Sequence, residues 1–128
     1  MHKYYVSIAC FLAALTVVLG AFGAHALKTL VPENALTIYD TAVRYQFYHV
    51  LALALTGIIY KTHTNSYIKN AGIFFLIGIL FFSGSLYLLT YKAAIGSDGF
   101  RWAGPITPIG GLFLIIGWIL LGIGTKKG

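Results

Sequence analysis

The side chains able to do chemistry crowd into one short stretch: Asp40, Thr41, Arg44, Tyr45, Gln46, Tyr48 and His49. On a helix, Asp40 and Arg44 stand one turn apart in the favourable acid-first order, so they can pair near the membrane surface. Thr41, Tyr45 and His49 share a neighbouring face by the same spacing. The sequence that follows is apolar, and so many hydrogen-bonding groups are costly in hydrocarbon. They must therefore face other helices or a wet cavity. One reading is a polar pocket or proton path. The other, which we favour because the group lies at the end of an apolar run, has Arg44 snorkelling to lipid phosphate while Gln46 and His49 tie helices together.

His25 closes one apolar run and His49 opens the next, so the two can meet on one side of a membrane. With Asp40 nearby they would suffice for a metal or a proton relay. No H-E-x-x-H pattern supports this, and a loop separates the two histidines. His2 and His63 read as surface residues. The single cysteine, Cys10, permits neither an internal disulfide nor a multi-cysteine metal site. No Ser, His and acid set appears, nor a phosphate-cradling Gly loop followed by Lys. We expect no catalytic residue, no metal, no cofactor and no enzymatic activity.

The elements that position these residues follow from composition. Of 128 residues, 59% are hydrophobic and 9% charged, where a soluble domain carries roughly a quarter charged residues. Too few polar groups exist to cover a water-soluble exterior. Four apolar runs, approximately 4–23, 43–60, 71–89 and 108–125, are each long enough to cross a core of about 30 Å as a helix. They lack the alternation of a β-barrel. The expected fold is all-α: a polytopic, four-transmembrane-helix bundle forming a single domain over 1–128. Thr107 and Pro108 read as the cap and first position of the fourth helix, with a Gly-rich loop over 90–107. Pro32, Glu33 and Asn34 resemble a helix start, and Leu36, Tyr39 and Val43 recur at helical spacing. An interfacial or extended helix is therefore expected before helix two.

Lys3 and the Ala24-His25-Ala26 triplet give the first run some features of a signal peptide, but its length and its glycines favour a span. Gly20, Gly23 and Ala24 in helix one, Gly84 in helix three, and Gly110, Gly111 and Gly117 in helix four are expected to let helices pack closely. Such packing would bury the polar face of helix two against His25, Ser83, Ser85 and Tyr87.

The formal charge is +6, but the basic residues are scattered, which excludes a nucleic-acid surface. They fit loops that flank spans. Four spans place Lys3, Lys61, Lys69, Lys126 and Lys127 on the side of both termini. Lys28, Arg44, Lys92 and Arg101 fall opposite, with the acids Glu33, Asp40 and Asp98. The bias predicts cytoplasmic termini.

Four phrases also carry a resemblance: Gly20-Ala21-Phe22-Gly23-Ala24-His25, Thr41 through His49, Phe82-Ser83-Gly84-Ser85-Leu86-Tyr87, and Ile106-Thr107-Pro108-Ile109-Gly110-Gly111. In this order they resemble the domain of unknown function 423 family of small bacterial inner-membrane proteins, related to animal transmembrane protein 256. The resemblance implies four spans in a plasma membrane. It implies no reaction, cofactor or catalytic residue. The expected function is binding or assembly within the membrane, with lipid, a second copy or another membrane protein as partner. The alternative is a small transporter or channel component using His25, Arg44, Gln46 and His49.

Overall fold

A computed structural model describes residues 2–96 and 99–127. Asp98, assigned above to the side opposite the termini, lies outside the described residues. Four helices follow in order: α1 (Tyr5–His25), α2 (Glu33–Tyr60), α3 (Ser66–Ile95) and α4 (Ala103–Lys127). Short 3-10 turns at His2–Tyr4 and Leu27–Thr29 flank α1. All four helices are long and apolar enough to cross a membrane.

The helix ends follow from local chemistry. Pro32 holds the extended backbone before α2, so the expected extension of helix two is continuous helix. Asn65 caps α3 by accepting a hydrogen bond from the Ile68 amide at 3.1 Å. Gly96 closes α3 in the left-handed conformation, φ 65°. The start expected for α4 is corrected: the helix begins at Ala103, not Thr107, and Pro108 lies inside it. Pro105 falls within its first turn, where a missing N–H costs nothing. Thr107 does not cap the helix. Its hydroxyl meets Ser85 Oγ at 2.5 Å. Most of the loop expected over 90–107 is thus helical.

Successive helices are antiparallel and pack in chain order, α1 on α2, α2 on α3 and, most extensively, α3 on α4. Contacts from each end of the chain to the start of α3 fix the topology. The Tyr5 hydroxyl donates to the Lys69 carbonyl at 2.6 Å, and Asn65 Nδ2 donates to the Gly124 carbonyl at 3.1 Å. Both described termini therefore lie at the end that carries the α2–α3 turn.

The α3–α4 seam has a heptad logic. On α4, Ala103, Gly110, Gly117 and Gly124 recur every seven residues, with Leu114 and Leu121 between them, all buried. Facing them on α3, Ile68, Phe75 and Phe82 also recur every seven residues. Ile68 meets Gly124, Phe75 meets Gly117, and the Phe82 backbone meets Gly110. The reverse pairing alternates with it: Leu114 of α4 fills the space over Gly78 of α3. Ile68, Phe75 and Leu114 each lie over a missing side chain and at Gly110 backbone meets backbone, so the helices close without a hydrophobic driving force between them.

Glycines serve the other seams unevenly. Gly23 lies under the Tyr39 ring, where a β-carbon would stand 2.5 Å from Cε1. Gly72 lies under Tyr5 in the same way. Three of the residues expected to pack do not do so closely. Gly84 has open space where a β-carbon would be, Gly111 meets only the Phe82 ring at 3.7 Å, and Ala24 is exposed. Gly84 and Ala24 point away from the tight seams of their helices, and Gly111 lies at the edge of one.

Candidate functional site

The inward face of α2 is set by buried Tyr39, Ala42, Gln46, His49, Leu53 and Thr56, a three-and-four spacing that turns one stripe toward α3. Gln46 and His49 are therefore interior while their sequence neighbours are not. Asp40, Arg44, Tyr45 and Tyr48 are exposed and Thr41 is half-buried. The crowded stretch of sequence is thus two groups in space, one sealed and one facing outward.

Gln46 is the centre of the sealed group. The Tyr87 hydroxyl of α3 donates to Gln46 Oε1 at 2.7 Å. Gln46 Nε2 donates to Thr16 Oγ1 of α1 at 2.7 Å, and Thr16 donates onward to the Leu12 carbonyl at 2.6 Å. One amide thus ties three helices together. The chain of donors ends at a backbone carbonyl, which accepts and has nothing to pass on. Tyr39 adds a further tie, donating to the Leu19 carbonyl of α1 and packing on the Tyr87 ring at 5.5 Å.

His49 is held through both ring nitrogens. Nδ1 lies 2.7 Å from the Tyr45 carbonyl, and Trp118 Nε1 of α4 donates to Nε2 at 3.0 Å. A carbonyl only accepts and an indole only donates, so the two bonds together define the Nδ1–H tautomer. Phe75 packs beside both rings, 5.9 Å from His49 and 5.2 Å from Trp118. Neither nitrogen is open to a metal. Among the described residues, no group of three His, Cys, Asp or Glu side chains gathers to hold one.

Ser83 and Ser85 serve different seams. Ser83 donates to the Ala42 carbonyl of α2 at 2.8 Å, whereas Ser85 turns to Thr107 of α4. The expected burial against α2 therefore holds for Ser83 and Tyr87 but not for Ser85. His25 is exposed at the end of α1 and is not among the partners of His49. The Asp40–Arg44 ion pair that the spacing allows is not formed. Both side chains are exposed, where an i, i+4 pair gains little against the entropy of holding two long side chains. Among the described residues, no buried side-chain nitrogen or oxygen lacks a hydrogen-bond partner.

Thr16 and Trp118 are the members sequence reasoning missed. The one signal for Thr16 is its place in the apolar run of α1, four residues before Gly20 and so on the same side of the helix. Trp118 gave none, because a tryptophan in a span reads first as an apolar or interfacial side chain.

Outside this layer, α1 and α2 leave an open groove of about 280 Å³ lined by Thr16, Val17, Gly20, Val43, Arg44, Phe47 and Tyr48. Its walls are almost wholly apolar, and Arg44 is the one charged residue among those that line it.

Four antiparallel apolar helices around a hydrogen-bonded polar layer define a polytopic α-helical membrane protein. The chain belongs to the family described as Protein of unknown function (DUF423), whose match covers residues 19–111 and takes in all four signature phrases. It is 41% identical to a UPF0382 membrane protein of Staphylococcus aureus, over 98% of this chain and 97% of that one. A UPF0382 membrane protein of Haemophilus influenzae is 39% identical over 99% and 97% of the two chains. The UPF0382 membrane protein YwdK of Bacillus subtilis is 35% identical over 98% of each. No solved structure matches the chain.

Proposed function

We propose that this protein acts by binding or assembly in the bacterial inner membrane, as one domain with both termini in the cytoplasm, and that it catalyses no reaction. The observation that carries this reading is the closed hydrogen bonding of the interior. Tyr87, Gln46, Thr16 and His49 spend their polar atoms on one another, on backbone carbonyls and on Trp118. A solute or proton path would need such groups directed at a cavity. The outward-facing groups, Arg44, Tyr45 and Tyr48, are the ones left to meet lipid, a second copy or another membrane protein. For orientation, the support is the five lysines at the end that bears the termini.

Reconstitution into vesicles tests the reading. Wild-type protein should carry no proton or ion flux above empty vesicles, and native mass spectrometry should show retained lipid or a defined oligomer. Flux that Gln46→Leu or His49→Phe abolishes without loss of folded yield would establish the transport alternative instead.

A further inference from the structure

We propose that the α1–α2 groove holds one acyl chain of an anionic phospholipid whose phosphate is bound by Arg44. The proposal rests on the binding reading above and names the partner.

The first observation is the groove itself, open to the outside and walled by Val17, Gly20, Val43, Phe47 and Tyr48. It exists because Gly20 leaves out a side chain. The nearest atom to a β-carbon there would be Val43 Cγ1 at 3.5 Å, an ordinary contact. The groove lies opposite the face of α2 that α3 covers, so hydrocarbon chains are its natural medium.

The second observation is independent. Arg44 is exposed on the groove wall, and none of the ion pairs, hydrogen bonds or ring contacts formed among the described residues includes it. Counting back from Tyr60 by the roughly twenty residues that cross a core of about 30 Å places the boundary near Asp40. Arg44 then lies one turn inside. A guanidinium at that depth is expensive unless it reaches an anion, and its stem is long enough to reach the headgroup layer. The planar fork suits phosphate oxygens. An apolar channel with a single unpaired cation near its outer end matches an amphiphile with an apolar tail and a phosphodiester head. The net negative headgroup is the better fit, because a zwitterionic head brings its own cation to compete with Arg44.

The test titrates the purified full-length chain in neutral detergent with phosphatidylglycerol or phosphatidylcholine of matched acyl chains, counting bound lipid by native mass spectrometry. One phosphatidylglycerol per chain should be retained about fivefold better than phosphatidylcholine, the factor expected of one basic side chain near anionic lipid. Arg44→Gln should erase the preference. Gly20→Leu fills the groove and keeps the charge, and should lower retention of both lipids. Excess inorganic phosphate should leave bound lipid in place. Equal retention of the two lipids by wild type, an unchanged preference in Arg44→Gln, or displacement by inorganic phosphate would each overturn the proposal. If Arg44→Gln fails to yield monodisperse protein, Arg44→Lys, which keeps the charge, must keep the preference while Gly20→Leu loses lipid. The same samples in vesicles separate the two levels of inference. Flux abolished by Arg44→Gln removes the binding reading, whereas no flux with no lipid preference removes only the lipid assignment.

Discussion

Gly110 of α4 lies directly against the backbone of Phe82 in α3, so close that a β-carbon would fall well inside van der Waals contact with the Phe82 amide nitrogen. Backbone cannot step aside as a side-chain tip can. Gly110→Ala should therefore destabilise the protein by about 1–3 kcal/mol or more, as overpacking does. Gly122→Ala, where a β-carbon meets nothing within 4 Å, should be neutral or stabilise by about 0.5–1 kcal/mol through helix propensity. Unfolding in mixed detergent micelles distinguishes them. Equal stability of the two variants would deny the tight seam.

Removing one member of the Gln46 layer strands the others. Tyr87→Phe leaves Gln46 Oε1 without its donor, and Gln46→Leu leaves both Tyr87 and Thr16 short of a partner. Each should cost about 1–2 kcal/mol, with the pair coupled by roughly 0.5–1.5 kcal/mol in a double-mutant cycle. Additive losses would mean the two side chains do not share a bond.

Trp118 and Trp102 are the only tryptophans, which makes the His49 contact directly observable. In a Trp102→Phe background, His49→Phe should move Trp118 emission to shorter wavelength as the indole loses its hydrogen-bond acceptor, and should lower stability by about 1–2 kcal/mol. Tyr45→Phe should leave the emission unchanged, because His49 bonds to the Tyr45 carbonyl and not to its hydroxyl. An unshifted His49→Phe spectrum would separate the two rings.

The described termini lie at one end of the bundle, since Tyr5 meets Lys69 and Asn65 meets Gly124. Reporters fused at either terminus should give the same result, and cytoplasmic accessibility is the outcome the lysine bias predicts. A C-terminal tag reachable only from outside would reverse the orientation.

Four spans, the start of α2 and two glycines of the α3–α4 seam, Gly110 and Gly117, were readable because each leaves a local mark: an apolar run, a proline before an acid, a small residue in a span. Gly78 and Gly124 of the same seam carry the same mark as glycines that do not pack, and nothing in the sequence sets them apart. The start of α4 misled because Thr107-Pro108 has the chemistry of a cap, yet the helix begins at Ala103 and runs through Pro108, and the Ser85 contact gives Thr107 another use. Spacing alone grouped Thr41, Tyr45 and His49, while packing selected Ala42, Gln46 and His49. That choice depends on which side α3 approaches. The absent Asp40–Arg44 pair shows the same limit, for spacing permits a contact without requiring it. That Phe75 opposes Gly117 depends on a register between helices, which neither helix encodes by itself.

The Gln46 and His49 bonds also impose an order on biogenesis. When α1 and α2 have entered the bilayer, Gln46 already has Thr16 within reach, but Tyr87 and Trp118 have yet to be synthesised. Until then α2 carries unmet hydrogen-bonding capacity in lipid, and that capacity is relieved only by capture of α3 and then α4. The last helix to emerge is thus the one that completes the hydrogen bonding of a side chain made about seventy residues earlier.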